Sequence, residues 1–425
     1  MTAEIVVINR NGVAMAADSA VTIGRERVWQ TANKLFSLSP YNDIGIMIYG
    51  AGSFQGHSWE TIIKCFRQDC GTKEFQTVEA CTKSFIAFLK SNKIKGSESN
   101  IYYIFLNQLN ELIKLLNIDK KKTVDDATVQ AILKNQIKFL TQNKILLKVD
   151  KKTFFSKHKK TIREFVEKTI NEERKEGRNL IKLSSASSTL LAQLCYEIFR
   201  RQIPSGYQTG IVIAGFGKKE YFPCLANYII DGKYEKTMRG WLEEERCHDL
   251  NEDPRAASII PFAQQDVFDL FMQGIAPANQ KFLIGTLNRV FKVSISELIK
   301  KHVPKAKHPT MQAYAEKAGK DLLHKFRDEF EQYRKEKFIN PILKVISALP
   351  KEEMAAMAEA MVELTSLRRK VDSQLQSVGG PTDVAVISKG DGLIWVKRKH
   401  YFNLELNHDF VIRKNIKHTQ KGGKS

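Results

Sequence analysis

The chain lacks any run of eighteen uncharged apolar residues, so the sequence predicts no membrane-spanning helix. It also shows no charged-then-apolar secretory leader, and we expect a cytoplasmic protein. Its six cysteines are spaced neither as a disulfide framework nor as the Cys/His pairs of a zinc site. We therefore expect reduced thiols, no metal and no cofactor.

Acidic residues are scarce relative to basic ones, since 47 Asp and Glu stand against 67 Lys and Arg, for a net charge of +20. This excess favours an acidic partner, such as nucleic acid, an acidic protein surface or an anionic substrate, and says nothing about fold. A length of 425 residues suffices for one large core or for two to three domains, and 43% apolar residues is ordinary for a globular protein.

Thr2 directly follows the initiator Met1. A threonine at the first position of a mature chain is a complete nucleophile and base, because its Oγ attacks while its own α-amino group accepts the proton. Removal of Met1, which is usual before a small residue, would expose it. Asp18 and Lys34 then follow at two equal intervals of fifteen residues.

With this spacing, residues 2–56 resemble the β-type subunits of proteasomes and bacterial proteasome-like peptidases, which are N-terminal-nucleophile hydrolases. The resemblance returns at 207–235 and 379–401. It implies an α+β fold, namely a four-layer αββα sandwich of this hydrolase type, here interrupted by large helical insertions. It also implies a polypeptide substrate, a homo-oligomer that forms a ring in many relatives, and an ATP-dependent unfoldase as partner if rings form.

The resemblance assigns catalytic roles to four residues. Thr2 would be the nucleophile, the ammonium of Lys34 would lower the proton affinity of its hydroxyl, and Asp18 would hold Lys34 in its charged form. The backbone N–H of Gly50 would bind the oxyanion, a contribution of roughly 3–4 kcal/mol in acyl transfer. Each of these residues also has an interpretation without catalysis. Thr2 would be an ordinary second residue of the chain and Asp18 a carboxylate in a turn. Lys34 would be a solvated charge and Gly50 a glycine in a tight turn.

Four more residues fall on substrate-binding positions of the resembled family. Thr22 would contact the substrate backbone, while Val21, Ala32 and Phe36 would line the first specificity pocket and give it an apolar preference.

The sequence departs from the family at residues that support the nucleophile. Where the family has an Asp and a Ser before its final Gly-Gly, this chain has Leu375 and Val378, with Asp372 and Ser377 out of register. A serine-bearing turn of the family is replaced at 262–266 by Phe-Ala-Gln-Gln-Asp. Since such residues fix catalytic geometry, weak or absent activity is an open alternative.

Periodicity predicts the elements of the core. Alternating apolar residues predict strands at 3–10 and 13–17 around an Asn11-Gly12 turn. Further strands are predicted at 28–38, 43–49, 208–214, 221–230, 383–387 and 393–395, and helices at 59–70, 78–89, 265–272, 311–337 and 351–370. The loop 50–56 imitates a dinucleotide-binding loop, but the hairpin strands before it disfavour that function.

Composition divides the chain into six segments. They are 1–92, the N-terminal half of the core; 93–190, a basic helical insertion; 191–294, the core continued; 295–350, a second helical insertion; 351–402, the C-terminal core helix and strands; and 403–425, a basic tail. The serine-rich stretch at 184–188 fits either a linker or a helix start.

A basic run at 144–163 carries eight basic residues against one acidic residue and includes Phe154 and Phe155. Such a run either binds an acidic partner, protein or nucleic acid, or is a solvated helix face. Two functions follow from the sequence. One is a threonine-type peptidase or amidase acting through an acyl-enzyme at Thr2, and the other is a catalytically silent proteasome-like module whose basic insertions bind a partner.

Overall fold

The computed structural model describes residues 3–23, 27–91, 93–94, 105, 125–175, 184–234, 237–253, 256–371, 379–400, 402–403, 405–409 and 412. The strands are β1 Glu4–Asn9, β2 Gly12–Ala17, β3 Val21–Ile23, β4 Arg27–Trp29, β5 Leu35–Ser39, β6 Asn42–Gly50, β7 Ser53–Phe54, β8 His57–Ser58, β9 Thr209–Phe216, β10 Cys224–Tyr234, β11 Thr237–Leu242, β12 His248–Asp249, β13 Ser258–Pro261, β14 Asp383–Ser388 and β15 Gly392–Lys397. The helices are α1 Trp59–Cys70, α2 Val78–Lys90, α3 Asp126–Leu140, α4 Lys151–Lys175, α5 Ser185–Arg200, α6 Asp266–Gln273, α7 Pro277–His302, α8 His308–Arg334, α9 Asn340–Ile346 and α10 Lys351–Val371.

The first sheet is antiparallel and has the strand order β13-β1-β2-β14-β15. Its first hairpin pairs Asn9 with Gly12, so the two-residue turn is Arg10-Asn11 and not the predicted Asn11-Gly12. The glycine is required for another reason. A Cβ at Gly12 would lie 2.5 Å from the carbonyl oxygen of Ile387 on the neighbouring strand β14.

The second sheet is also antiparallel, with the order β11-β10-β9-β6-β5 and β12 paired to β10. The single strand predicted at 28–38 is instead two strands, because β4 pairs with β3 in a separate hairpin and only β5 joins this sheet. The residues between them leave the strand conformation and carry Ala32 and Lys34 toward the loop after β2.

Apolar clusters show how the layers pack. One cluster draws residues from both sheets and includes Val6, Ile8, Met15, Leu35, Met47, Val212 and Ala385. A second joins residues of the second sheet to α1 and α2, and a third joins residues of the first sheet to α10. The expected mixture of helices with antiparallel sheets is therefore confirmed.

The basic helical segment forms its own cluster from α3, α4 and α5. Ser184 caps α5, since its Oγ accepts a bond of 3.1 Å from the Ser187 N–H, so the serine-rich stretch begins a helix. The predicted boundary at 190/191 falls inside this helix. Arg239 of β11 is buried and pairs with Asp231. It also donates to carbonyls in the last turn of α5 and just beyond it, those of Ile198, Phe199, Arg201 and Ile203.

The second helical segment is larger than expected. It begins at Pro277, a favourable residue for a first helical turn, so the predicted boundary at 294/295 falls inside α7. The helix predicted at 311–337 is α8, which ends at Arg334 and continues as one π-helical stretch, Lys335–Ile339. Within the described residues, no helix is long and apolar enough to span a membrane.

Candidate active site

Asp18 lies immediately after β2 and is buried. Its carboxylate accepts three backbone N–H bonds, from Ala3 at 3.1 Å, Ala20 at 3.3 Å and Gly379 at 3.0 Å. The Asp18 N–H in turn donates to the Ala3 carbonyl at 3.1 Å. One side chain therefore holds together the start of the chain, the loop after β2 and the entry to β14.

Lys34 lies immediately before β5 and is also buried, with 3% of its side chain exposed. Its Nζ contacts Asp18 Oδ1 and lies 3.2 Å from Glu4 Oε1. Its carbonyl accepts a 2.9 Å bond from the Ile48 N–H, which holds it beside β6. A buried ammonium is stable only when it is paired, and here two carboxylates pair with it. The structure thus brings two of the predicted catalytic residues, Asp18 and Lys34, into direct contact.

Glu4 also belongs to this site, although the sequence analysis did not identify it as a site residue. It alternates with Val6 and Ile8, which belong to the cluster drawn from both sheets, so Glu4 extends a buried apolar face with a carboxylate. This alternation could have identified Glu4 from the sequence, because it predicts a buried carboxylate, and a buried carboxylate requires a cationic partner nearby. The sequence could not indicate that this partner is Lys34.

A second cluster of charged side chains, centred on Asp383, lies beside Glu4 in the first sheet. Asp383 and Glu4 both pair with Ala17, from opposite sides, which places them on one face. Asp383 accepts from Arg398 at 3.0 Å and contacts the ammonium of Lys399. Burial lowers the pKa of Lys399, and its contact with Asp383 partly offsets this. Three buried carboxylates and three cations thus meet at this end of the molecule.

Gly50 ends β6 with a backbone φ of +85°. A Cβ there would lie 2.4 Å from the Gln208 carbonyl oxygen, so both the conformation and the space require glycine. The following loop is held by the Ala51 N–H, which donates to Gln208 at 3.1 Å, and by Thr209, which donates to the Ala51 carbonyl at 2.7 Å. The oxyanion role of the Gly50 N–H stays a prediction.

Two of the predicted substrate-binding residues lie on a short hairpin near this loop. Val21 pairs with Trp29, and Thr22 pairs with Val28. Val21 approaches Gly52, where a Cβ would come 3.8 Å from the valine Cγ1. The structure therefore brings Val21 beside the loop that follows Gly50.

The other two predicted pocket residues differ in placement. The Ala32 N–H donates to the Ser19 carbonyl at 3.1 Å, so Ala32 lies next to the Asp18 loop. Phe36 is buried with Trp59 in the cluster under α1 and α2, on the face of β5 opposite to Leu35. Its predicted role in the specificity pocket therefore has no support from its packing and stays a prediction.

Several predicted residues lie outside the described part of the chain: Thr2, Leu375, Val378, Asp372 and Ser377. The stretch 262–266 is described. There the Phe262 N–H donates to the Glu4 carbonyl at 2.9 Å, and Gln265 begins α6 without a side-chain cap. At 262–266 the structure thus has the end of a strand followed by the start of a helix, where the resembled family has a serine-bearing turn.

The described residues hold no group of three or more His, Cys, Asp and Glu side chains arranged for a metal ion. All six cysteines are free thiols, and burial raises the pKa of Cys70 to about 11, far from the thiolate range at neutral pH.

Comparison with known proteins gives little support for a family. No family model matches the chain, and no curated protein is similar to it. One solved structure that matches is Anbu (ancestral beta-subunit) from Yersinia bercovieri, at 10% identity over 98% of this chain and 97% of that one, with a TM-score of 0.26. A TM-score at this level does not establish a common fold, so nothing about the site follows from it.

Proposed function

We propose that this protein is a threonine-type N-terminal-nucleophile hydrolase that cleaves amide bonds, most simply those of a polypeptide. The observation that carries the proposal is the buried Asp18–Lys34 pair, together with the bond from the Ala3 N–H to Asp18. These residues are the ones whose spacing from Thr2 suggested the chemistry. In the structure, the two residues form a buried charged pair beside Ala3.

The described chain begins against this pair. The Ala3 nitrogen, which follows Thr2 in the sequence, donates to Asp18 Oδ1 at 3.1 Å. Charges influence proton transfer over about 4–6 Å, so the proposed mechanism requires the Thr2 hydroxyl to lie within that range of Lys34.

The proposed reaction assigns one role to each group. Once Met1 is removed, Thr2 Oγ attacks the scissile carbonyl and its proton passes to the free α-amine. The positive charge of Lys34 favours the developing alkoxide, and the Gly50 N–H stabilises the oxyanion. The C–N bond breaks as the amine proton moves to the leaving nitrogen, and water then hydrolyses the ester at Thr2.

The layer order is the second part of the proposal. We infer a four-layer αββα sandwich of the N-terminal-nucleophile type, supported by one apolar cluster drawn from both sheets and by two more that each join one sheet to helices. The cytoplasmic location, the homo-oligomer or ring and the ATP-dependent unfoldase partner belong to the same proposal and rest on the sequence resemblance.

The test begins with an intact mass, which reports whether Met1 is absent. Hydrolysis of fluorogenic peptides with an apolar residue before the scissile bond is then measured for the wild type, Thr2→Ala and Lys34→Ala. We expect both variants to reduce turnover to background, whereas the exposed control Lys64→Ala, paired with Glu60, should leave it unchanged. Hydrolysis that survives Thr2→Ala in a folded protein would refute the mechanism.

A second candidate function is an acidic partner bound at the basic run 144–163, in a module that need not be catalytic. Phe154 is buried against Tyr196, so its ring cannot stack on bases. Phe155 is half-buried beside Tyr196, with the ammonium of Lys151 over its ring. Asp150, the one acidic residue of the run, caps α4 through a 2.7 Å bond from the Thr153 N–H. The basic residues Lys151, Lys152, Lys157, Lys159, Lys160 and Arg163 are largely exposed, and Lys160 lies 3.9 Å from Glu164 on the same helix.

This second candidate predicts binding that falls steeply with salt. Fluorescence anisotropy with a duplex DNA oligonucleotide and with polyglutamate should show binding that charge reversal at Lys152 and Lys159 removes. Reversal of the exposed Lys64 and Lys83, on α1 and α2, is the matched control. Absence of binding to either probe at low salt would exclude this function.

A further inference from the structure

The two longest neighbouring helices of the second helical segment, α7 and α8, lie side by side with little other support. They contain 26 and 27 residues, so each is about 40 Å long at 1.5 Å per residue. The buried side chains along both helices are only Ile299, Leu323 and Arg334. A two-helix arm with so small a core leaves apolar surface available for a third element.

A groove runs along one side of this arm and encloses about 430 Å³. Its floor is apolar and is formed by Phe291, Ile295, Ile299, Ala315, Gly319 and Leu323. A bond of 3.1 Å from Gln312 to Ser296 crosses it toward the connecting loop. The α7 residues that line it run from Asn288 to Ile299, about 17 Å of helix.

The groove exists because α8 presents small residues where the helices meet. Ala315 and Gly319 are four residues apart and therefore lie on one face. A Cβ built on Gly319 would meet nothing within 4 Å, so the space above it is open. A glycine inside a helix costs about 0.5–1 kcal/mol relative to alanine, and no packing constraint here requires it.

The rim of the groove is basic. Lys292, Lys320 and Arg327 line it with exposed side chains, beside a single acidic residue, Glu316. None of these three cations forms an ion pair with a residue that the structure describes. Across residues 277–339 there are fourteen Lys and Arg against seven Asp and Glu. The groove thus combines an apolar floor with unneutralised positive charge at its edges.

We propose that this groove binds an acidic amphipathic helix of a partner protein. An apolar floor of about 17 Å matches three turns of helix, whose anchors at every third or fourth position would fill the space over Gly319. Acidic residues beside those anchors would meet Lys292, Lys320 and Arg327. A nucleic acid fits less well, because its charged backbone would leave the apolar floor unfilled. This proposal is independent of the hydrolase proposal.

The probe is a fluorescein-labelled helical peptide of about 18 residues, or five turns, with leucine at alternating third and fourth positions and glutamate on both flanks. A matched peptide carries lysine in place of every glutamate. Fluorescence anisotropy with the full-length protein should show the glutamate peptide binding at least about tenfold more tightly than the lysine peptide.

Two glycine variants localise the binding. Gly319→Leu fills the groove, whereas Gly285→Leu adds the same side chain to α7 at a position that is equally open but does not line the groove. Both should fold, because leucine favours a helix over glycine, and thermal unfolding checks this. Gly319→Leu should weaken the glutamate peptide about tenfold or more, and Gly285→Leu should not.

Charge reversal tests the rim. The double variant Lys292→Glu with Lys320→Glu should exchange the preference, so that the lysine peptide binds more tightly. Equal affinity for both peptides, no binding at millimolar concentration, or equal effects of the two glycine variants would overturn the proposal. So would an oligonucleotide that binds the arm more tightly than the peptide and is insensitive to Gly319→Leu.

Discussion

Replacing Lys34 with methionine should destabilise the protein far more than loss of a surface lysine. Lys34, Asp18 and Glu4 each have 3% or less of their side chains exposed, and the lysine is shared between the two carboxylates. At the 3.2 Å separation from Glu4, the Coulomb attraction is about 5 kcal/mol for an effective dielectric constant of about 20. Removing one partner of a buried pair typically costs about 3–5 kcal/mol, and we expect that range.

The companion variant Glu4→Gln makes the prediction specific. In the wild type it removes a carboxylate that contacts Lys34, which should cost about 1–2 kcal/mol. In the Lys34→Met background the same change removes one of two carboxylates left without their ammonium, so it should stabilise the protein by a similar amount. The sign of the Glu4→Gln effect therefore reverses with the residue at position 34.

Urea unfolding at neutral pH measures all four proteins, with Lys64→Met as the control. Lys64 pairs with Glu60 at the surface of α1, where an i,i+4 pair contributes about 0.3–0.5 kcal/mol. A Lys34→Met cost close to that of the control would refute the buried charge network. An equal cost of Glu4→Gln in both backgrounds would show that Glu4 and Lys34 are not coupled.

Three further predictions concern two buried residues and the half-buried His248. Arg239→Met should cost about 3–5 kcal/mol, because it removes the cationic partner of Asp231 and the donor to the carbonyls near the end of α5, and urea unfolding measures this. Phe154→Ala should cost about 3–5 kcal/mol in the same assay, because the ring is buried and meets Tyr196 edge-on at a centroid distance of 5.4 Å. A cost below about 1 kcal/mol would indicate that the ring lies at the surface. Burial lowers the pKa of His248 from its usual 6.5, so protonation favours the unfolded chain, and stability should fall as pH drops below about 6.5. His248→Gln should reduce the loss of stability between pH 7 and pH 5.

Local signals in the sequence predicted much of the core correctly. The helix predicted at 59–70 is α1, with Ser58 as its cap and Gly71 after its end. Residues 351–370 form α10, and 208–214 fall almost wholly within β9. These elements are specified by caps, periodicity and alternation, which act over a few residues and are readable in one chain.

Other features depended on neighbours that are distant in the chain. Gly12, expected in the turn, instead pairs with Asn9 at the end of the hairpin, where the carbonyl of Ile387 leaves no room for a side chain. The basic run appeared to offer Phe154 for stacking, but Tyr196 and Phe199 enclose that ring. Neither contact has a local signal, since the partner lies more than forty residues away in each case.

For the candidate site, the sequence by itself determined the residue types and their spacing: a threonine at position 2, Asp18 and Lys34 at equal intervals, and a glycine where the strand ends. Only the tertiary structure decided that Asp18 and Lys34 touch, that Glu4 shares the lysine, and that Phe36 packs with Trp59 in the cluster under α1 and α2. The physical reason is that spacing records which groups are available. Their meeting in a buried space depends on how the two sheets stack and which faces they exclude from water, and that is a property of the whole chain.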